Sequence, residues 1–470
     1  MPKTHLATID LGATSGRVMV GSFSPSEGVE LNEIHRFPNQ FNRLHQNDYW
    51  DMGMLWREAS HGLREAKKLY PELRSVGVDS WGADQVMLNA DGRLAFPVHS
   101  YRDERTRPWQ ERIENSPAAA QLFQQSGLPP VNYNTGLQLA ESLATFPLLR
   151  DMVDRVLSIS DYFNFLLSGE LVNEFSQAST TMLLDPRGED YHPAALEYFG
   201  IPPHWFTPPH QAKQLLGPVR LEGLGDVDTV LVPGHDTSCA VEAIPGSERG
   251  FIVSSGTWML AGQLTDGPLL SDAAFRAWIS NERTGSGAFR PCKVMLGLWL
   301  IEQIIPCFER RPANDAEWTA LIDAASDRPS SDVHLDTSDR ALFNPTDMRE
   351  AIDTQLRHRG GTPPLDLAGY VRLVCDSLGA AIAGAVDAFG TLSGQRAERI
   401  IIVGGGARNR LLCQAMANAA ALPVTSYQLE ATCLGNLAYQ ACALGLVPDL
   451  AAFHAVIAPG LPTQHYAPRG

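Results

Sequence analysis

Asp10-Leu11-Gly12-Ala13-Thr14-Ser15-Gly16-Arg17, entered from the apolar run Leu6–Ile9, is the stretch whose reading decides the fold. A hydrophobic strand here delivers a carboxylate, a small-residue turn, two hydroxyls and an arginine to one point. Gly12 and Gly16 permit a positive φ and a close approach of backbone to ligand. Successive amide N–H groups in such a turn form an anion-binding concavity, and Thr14, Ser15 and Arg17 add side-chain donors for phosphate oxygens. Asp10 would repel a phosphate unless a cation stood between them, so the turn points to Mg2+ beside a nucleotide. An ordinary tight turn with an exposed arginine would use the same residues. Against it stands a second stretch of the same character, Phe251-Ile252-Val253-Ser254-Ser255-Gly256-Thr257-Trp258. The two lie roughly half a chain apart, which predicts two similar halves, each presenting a phosphate-facing hairpin.

The chain has 470 residues, beyond the size at which single cores stop growing, so two domains are expected. The polar break around Pro245-Gly246-Ser247-Glu248-Arg249-Gly250 places their boundary near 243–248, giving 1–244 and 245–470. With 44% hydrophobic and 19% charged residues the composition is that of a soluble globular protein. A formal net charge of −16 argues against nucleic acid or an anionic membrane as partner and leaves ATP open. No uninterrupted apolar run of about 18 residues occurs and no signal-peptide pattern opens the chain, which predicts a cytoplasmic protein. Seven scattered cysteines without a Cys-x-x-Cys pair read as reduced thiols, and no zinc site is visible.

Apolar periodicity predicts strands at 6–9, 18–23, 75–79, 85–88, 229–232 and 399–403. It predicts helices over much of 53–68, 116–126 and 138–150, a long one capped by Asp366 and running to Phe389, and another over 409–421. This alternation is that of an α/β protein. The Pro-rich segment 202–209 reads as a surface loop.

Gly234-His235-Asp236-Thr237 ends one of these strands. A carboxylate there could accept the proton of a substrate hydroxyl during phosphoryl transfer, although an aspartate before Thr-Ser also caps helices. With two phosphate turns in the chain, catalysis is the better reading. His235 either orients a hydroxyl or packs. Gly404-Gly405-Gly406 would let adenine or ribose lie flat on the backbone. The spacing is not Gly-x-Gly-x-x-Gly and lacks the acidic ribose partner, which disfavours a nicotinamide dinucleotide. Trp81-Gly82-Ala83-Asp84 and the Tyr101–Thr106 segment, with Arg102, combine aromatic faces and polar groups suited to a polyol. For 101–106 a solvated charged loop fits the spacing equally well. Neither a Walker-type phosphate loop nor a Gly-x-Ser-x-Gly elbow occurs.

With these motifs in order, the sequence resembles the FGGY family of carbohydrate kinases, and within it the bacterial rhamnulokinases. The matching stretches are Asp10–Arg17, Glu33–Phe37, Val78–Asp84, Tyr101–Thr106, Gly234–Thr237, Ser254–Trp258, Gly297–Leu300, Val403–Gly406 and Glu430–Asn436. They cover nearly the whole chain in family order. The resemblance implies a two-domain α/β, actin-like (ribonuclease-H-like) ATPase fold with its active site in the interdomain cleft. Residues 1–244 would handle sugar and phosphate, and 245–470 the nucleotide. It implies MgATP-dependent phosphorylation of a sugar hydroxyl, at O1 of L-rhamnulose in rhamnulokinases, with Asp236 as catalytic base.

The candidate substrate contacts are then Trp81, Gly82, Asp84, Arg102, His235, Asp236, Thr237 and Val294. Candidates for ATP are Asp10, Gly12, Ala13, Thr14, Ser15, Gly16, Arg17, Gly256, Thr257, Glu302, Gly404, Gly405, Gly406 and Asn409, with Asp10 also for Mg2+. Two positions depart from the rhamnulokinase pattern. Val294 stands where those enzymes carry a substrate-contacting asparagine, and Glu302 where they carry a nucleotide-contacting glutamine. A valine cannot supply an amide hydrogen bond, so selection for a sugar carrying that partner should weaken. L-Fuculose, L-xylulose or a smaller ketose, and a non-catalytic actin-like ATP-binding module, are the alternatives. The expected partners are a small ketose and ATP, with no nucleic acid or membrane, in a monomer or homodimer.

Overall fold

The first apolar run lengthens into a strand, Thr4–Leu11, which turns back into Ser15–Ser24 with Asp10 opposite Arg17 and Leu11 opposite Gly16. In this computed structural model, which describes residues 3–308 and 311–469, that hairpin lies inside a six-stranded sheet. Its order is Gly28–Pro38, Ser15–Ser24, Thr4–Leu11, Leu73–Ser80, Asp228–Leu231, Gln214–Pro218. The pairings run antiparallel, antiparallel, parallel, parallel, antiparallel.

The same succession recurs later in the chain. Phe289–Leu296, pairing through 292–296, is followed by Trp258–Gly262, Gly250–Ser255, Arg399–Val403, Val424–Tyr427 and Thr463–Tyr466. Here too the pairings are antiparallel, antiparallel, parallel, parallel, antiparallel. The two halves read from the paired turns therefore have one topology.

The chain divides into two compact units. The first holds Met1–Pro245, Thr265–Pro291 and Glu430–Gly460, and the second Gly246–Leu264, Cys292–Leu429 and Leu461–Gly470. A single cut at 244/245 thus leaves out two later segments that pack with the first unit. The helix Ala431–Ala443 shows why: glycines on its neighbours and on itself let it approach closely. A Cβ on Gly21 would collide with Leu437, one on Gly77 with Asn436, and one on Gly435 with the Cys239 carbonyl. Gln440 Nε2 then donates to Ala7 O at 2.8 Å, and Ser75 Oγ donates to Gln440 Oε1 at 2.6 Å.

Local signals set most helix ends. Met52–Leu69 starts where Asp51 accepts from Met54 N and buries Leu55, Ala59, Leu63 and Ala66 at helical spacing. Ala118–Ser126 stops at Gly127, whose φ is 75°. The helix expected over 138–150 is instead Thr135–Thr145 followed by the short turn Leu149–Met152. Pro147 explains the break, since its ring clashes with the preceding turn. The Pro-rich 202–209 stretch is not simply a surface loop: it contains a 3-10 turn, Pro203–Trp205, whose tryptophan is fully buried. Leu367–Ser393 is the one described helix long and apolar enough to cross a membrane by length and composition, and 56% of its most apolar stretch is buried. It carries an Arg372–Asp376 ion pair and packs Gly379 onto the Ala415 backbone.

Candidate active site

Three acidic residues issue from neighbouring strand ends of the first unit. Asp10 and Asp79 face one another in register on the parallel pair Thr4–Leu11 and Leu73–Ser80, and Ser80 bridges in parallel to His235. Asp10, Asp79 and Asp236 thus sit at the carboxyl end of three adjacent parallel strand segments, the edge where open α/β sheets bind ligands. Burial pushes the Asp10 and Asp79 carboxyls up, Asp79 well above the usual range, and charge repulsion within the group adds to this. Asn436 Nδ2 donates to Asp79 Oδ2 at 2.6 Å, while Asp79 Oδ1 is buried without a partner.

Asp236 opens the short helix Asp236–Glu242, whose cap position falls to His235. Its Oδ1 accepts from Thr237 N at 2.5 Å and Thr237 Oγ1 at 3.0 Å, and the side chain keeps 30% exposure. It is the acidic side chain of the three that stays open to an incoming molecule.

Among the described residues no three His, Cys, Asp or Glu side chains stand close enough to hold a metal ion directly. The donor set suits Mg2+ nonetheless, because that ion keeps several waters and takes only one or two carboxylates. Asp10 and the orphaned oxygen of Asp79 fit that description.

The first turn differs in detail from its expected form. Neither Gly12 nor Gly16 has a positive φ. Space is the reason for both: a Cβ on Gly12 would lie 2.7 Å from Ser15 O, and one on Gly16 would enter the Phe37 ring. Asn39 holds the turn through its Nδ2 to Gly12 O at 2.8 Å and its N–H to Thr14 O at 3.0 Å. Thr14 is exposed, Ala13 and Ser15 half-buried. Arg17 is already paired, with Nε to Asp10 Oδ2 at 2.9 Å and Nη1 to Glu430 Oε2 at 2.5 Å.

In the second unit, Gly256 N–H donates to Trp258 O and Thr257 is exposed at the tip of the turn. Gly404 has φ 80°, and a Cβ there would lie 2.6 Å from Ser255 O. A Cβ on Gly406 would strike the Ser255 side chain, whereas Gly405 has nothing nearer than Ser255 O at 3.9 Å. That leaves Gly405 as the bare surface of the triplet. Asn409 is buried and caps the helix Arg410–Ala420 by accepting from Leu412 N. Glu302 accepts from Arg311 Nη2 at 2.9 Å. Val294 lies exposed on its strand opposite Leu260.

Of the sugar-binding candidates of the first unit, Gly82 and His235 lie side by side. A Cβ at Gly82 would stand 3.1 Å from Thr180 Cγ2 and 3.4 Å from His235 Nε2. The next residue, Ala83, has φ 74°, a strained value for a side-chain-bearing residue and one that clusters at functional sites. Trp81 packs its ring 4.5 Å from Trp50, and both indoles donate to Asp84 Oδ2. Asp84 also accepts from Tyr101 N and Gln138 Nε2, so this buried carboxylate braces the aromatic wall and has no oxygen left over. Arg102 lies over the Phe41 and Tyr101 rings and reaches Ala13 O at 3.4 Å, joining the 101–106 segment to the turn at 12–15.

Several residues around this group escaped sequence reading. Asp79 had a signal, an aspartate ending a strand just as Asp10 does. Glu174 and Gln177 had none. Glu174 Oε2 accepts from Gly234 N at 2.9 Å and Ser176 Oγ at 2.5 Å, and Ser176 Oγ in turn accepts from His235 N. Gln177 Nε2 donates to Gly234 O at 2.8 Å and Ser80 Oγ at 3.1 Å, tying two strand ends together. Glu282 and Arg290 lie behind His235.

Residues 6–241 match the FGGY family of carbohydrate kinases, N-terminal domain, and residues 251–444 match its C-terminal domain. A rhamnulokinase of Pectobacterium carotovorum is 34% identical over 473 residues, covering 100% of this chain and 94% of its own. One of Bacteroides thetaiotaomicron is 32% identical, covering 99% and 96%. Among solved structures, a gluconate kinase from Lactobacillus acidophilus aligns with a TM-score of 0.80 at 14% identity, over 99% of this chain and 94% of that one. Plasmodium falciparum glycerol kinase with ADP aligns at 0.78 and 13% identity, over 97% and 92%.

Proposed function

The chain belongs to the FGGY family of carbohydrate kinases and is an ATP-dependent sugar kinase, and on that premise we propose that it phosphorylates O1 of L-rhamnulose. Asp236 carries the mechanism: it is a partly exposed carboxylate at the start of a helix, next to His235, whose Nε2 faces Gly82. It takes the proton of the sugar hydroxyl as that oxygen attacks the γ-phosphorus in line. Gly82, His235 and Thr237 line the sugar, and Arg102 and the aromatic wall braced by Asp84 border it. In the first unit Ala13 to Arg17 would serve the phosphates, and in the second Thr257 and Gly405 would serve the nucleotide. Asp10 and Asp79 would hold Mg2+ through its waters, and the ion supplies charge neutralisation at the β- and γ-phosphates.

Full-length similarity to rhamnulokinases supports the choice of sugar. Val294 favours a second reading, a kinase for another ketose such as L-fuculose or L-xylulose, because an exposed valine offers no amide to a hydroxyl. We place the enzyme in the cytoplasm, where ATP is available and its seven cysteine thiols would stay reduced, as a monomer or homodimer.

The test is ADP release with MgATP across L-rhamnulose, L-fuculose and L-xylulose, for the natural chain and Asp236→Asn. Saturable activity on L-rhamnulose, lowered about 1,000-fold or more by the substitution while ATP still binds, is expected. Preference for another ketose would move the substrate and keep the base. Near-normal turnover of Asp236→Asn would overturn the base assignment.

A further inference from the structure

His235 precedes the proposed base, and its ring is gripped on both edges. Nε2 lies 3.6 Å from Asp236 Oδ1 and faces the position a Cβ would take on Gly82. Nδ1, on the opposite edge, lies 3.3 Å from Arg290 Nη2 and 3.4 Å from Glu282 Oε2. Arg290 and Glu282 form an ion pair with each other. His235, Glu282 and Arg290 are 7%, 8% and 3% exposed. The pair comes from one turn of chain in the first unit, the strand Ser280–Arg283 and the start of Phe289–Leu296, closed by Thr284 N–H to Ala288 O.

A guanidinium has donors only. Its contact with Nδ1 therefore requires a lone pair there, which leaves the single proton of a neutral imidazole on Nε2. Glu282 on its own would ask the reverse, a proton on Nδ1. Paired to Arg290, its charge is matched and it serves instead to hold the guanidinium in place. The tautomer matters at the other edge of the ring. A bare Nε2 would set its lone pair against Asp236 Oδ1 and compete with it for the hydroxyl proton. An Nε2–H instead donates, either to a sugar oxygen beside the attacked hydroxyl or to the carboxylate.

We propose that Arg290, held by Glu282, is a positioning residue that fixes His235 as the Nε2–H tautomer, so that His235 donates to the sugar and Asp236 alone accepts the proton. The role in turnover rests on the sugar-kinase reading, while the tautomer does not.

The test is long-range proton–nitrogen NMR of the full chain labelled at histidine ring nitrogens, with His235 assigned by loss of its signals in His235→Asn. The natural chain should show an unprotonated Nδ1 and a protonated Nε2. Arg290→Met should move the proton to Nδ1, facing Glu282. The same variant should lower kcat/KM for the sugar by about 100-fold, through both kcat and sugar KM, with KM for ATP unchanged. Arg290→Lys, which keeps a donor, should recover part of the loss. A proton on Nδ1 in the natural chain, or an unchanged tautomer in Arg290→Met, would overturn the proposal. If Arg290→Met does not fold, the spectrum of the natural chain decides alone. A natural chain that phosphorylates no ketose would remove the catalytic role, leaving the tautomer to stand or fall by its spectrum.

Discussion

Asn436 donates its Nδ2–H to Asp79 Oδ2 at 2.6 Å, joining a helix near the end of the chain to a strand 357 residues earlier. Among the described residues this is the one side-chain hydrogen bond of a carboxylate whose ionised form burial strongly opposes. Asp79→Asn preserves an acceptor for Asn436 and removes the buried charge. The variant should unfold about 1 kcal/mol less readily. Its half-saturating Mg2+ concentration in turnover should rise about tenfold. Unchanged Mg2+ dependence would detach Asp79 from the metal.

Glu174 is completely buried against the backbone of Gly234, and burial pushes its carboxyl up to about 8. The folded chain then holds a proton that the unfolded chain, near 4.5, releases. The stability this contributes is complete below pH 4.5 and is lost as pH rises through about 8. Urea unfolding at pH 5 and pH 8 should show a decline that Glu174→Gln reduces by on the order of a few kcal/mol. Parallel slopes in both proteins would mean that Glu174 is ionised throughout.

Gly82→Ala would place a methyl 3.1 Å from Thr180 and 3.4 Å from His235 Nε2. Both neighbours have to yield by a few tenths of an ångström, into the space proposed for the sugar. Sugar KM should rise about tenfold or more, with KM for ATP and thermal stability little changed. A rise confined to ATP KM would remove Gly82 from the sugar site.

Gly435→Ala would drive its Cβ into the carbonyl of Cys239, in the helix that Asp236 begins. Backbone cannot rotate aside as a side chain can. A loss of about 3 kcal/mol in stability is expected, read as a lowered Tm, with sugar phosphorylation falling alongside it. Retention of both would show that the two helices have room to separate.

The paired turns, the α/β alternation and the strand ends at Asp10 and Gly234 were legible from residue order. Each is a local pattern: an apolar strand period followed by small, hydroxyl and acidic residues. The repeated topology followed from recognising two such turns. Other expectations failed where a local signal had two physical uses. Gly12 and Gly16 are glycines for lack of space, not for positive φ. Pro147 was a visible helix breaker inside the pattern read as one helix.

By itself the sequence determined the two topologically alike halves, the family and the candidate base, because strand period, turn chemistry and motif order are written along the chain. The tertiary structure alone decided which carboxylates share a strand edge, that Glu430 and Asn436 return to the first unit, and that Glu174, Gln177, Glu282 and Arg290 pack around Gly234 and His235, just before Asp236. Those partners lie tens to hundreds of residues from the groups they touch. Burial and hydrogen-bond pairing depend on packing, and packing is not a property of any one stretch of sequence.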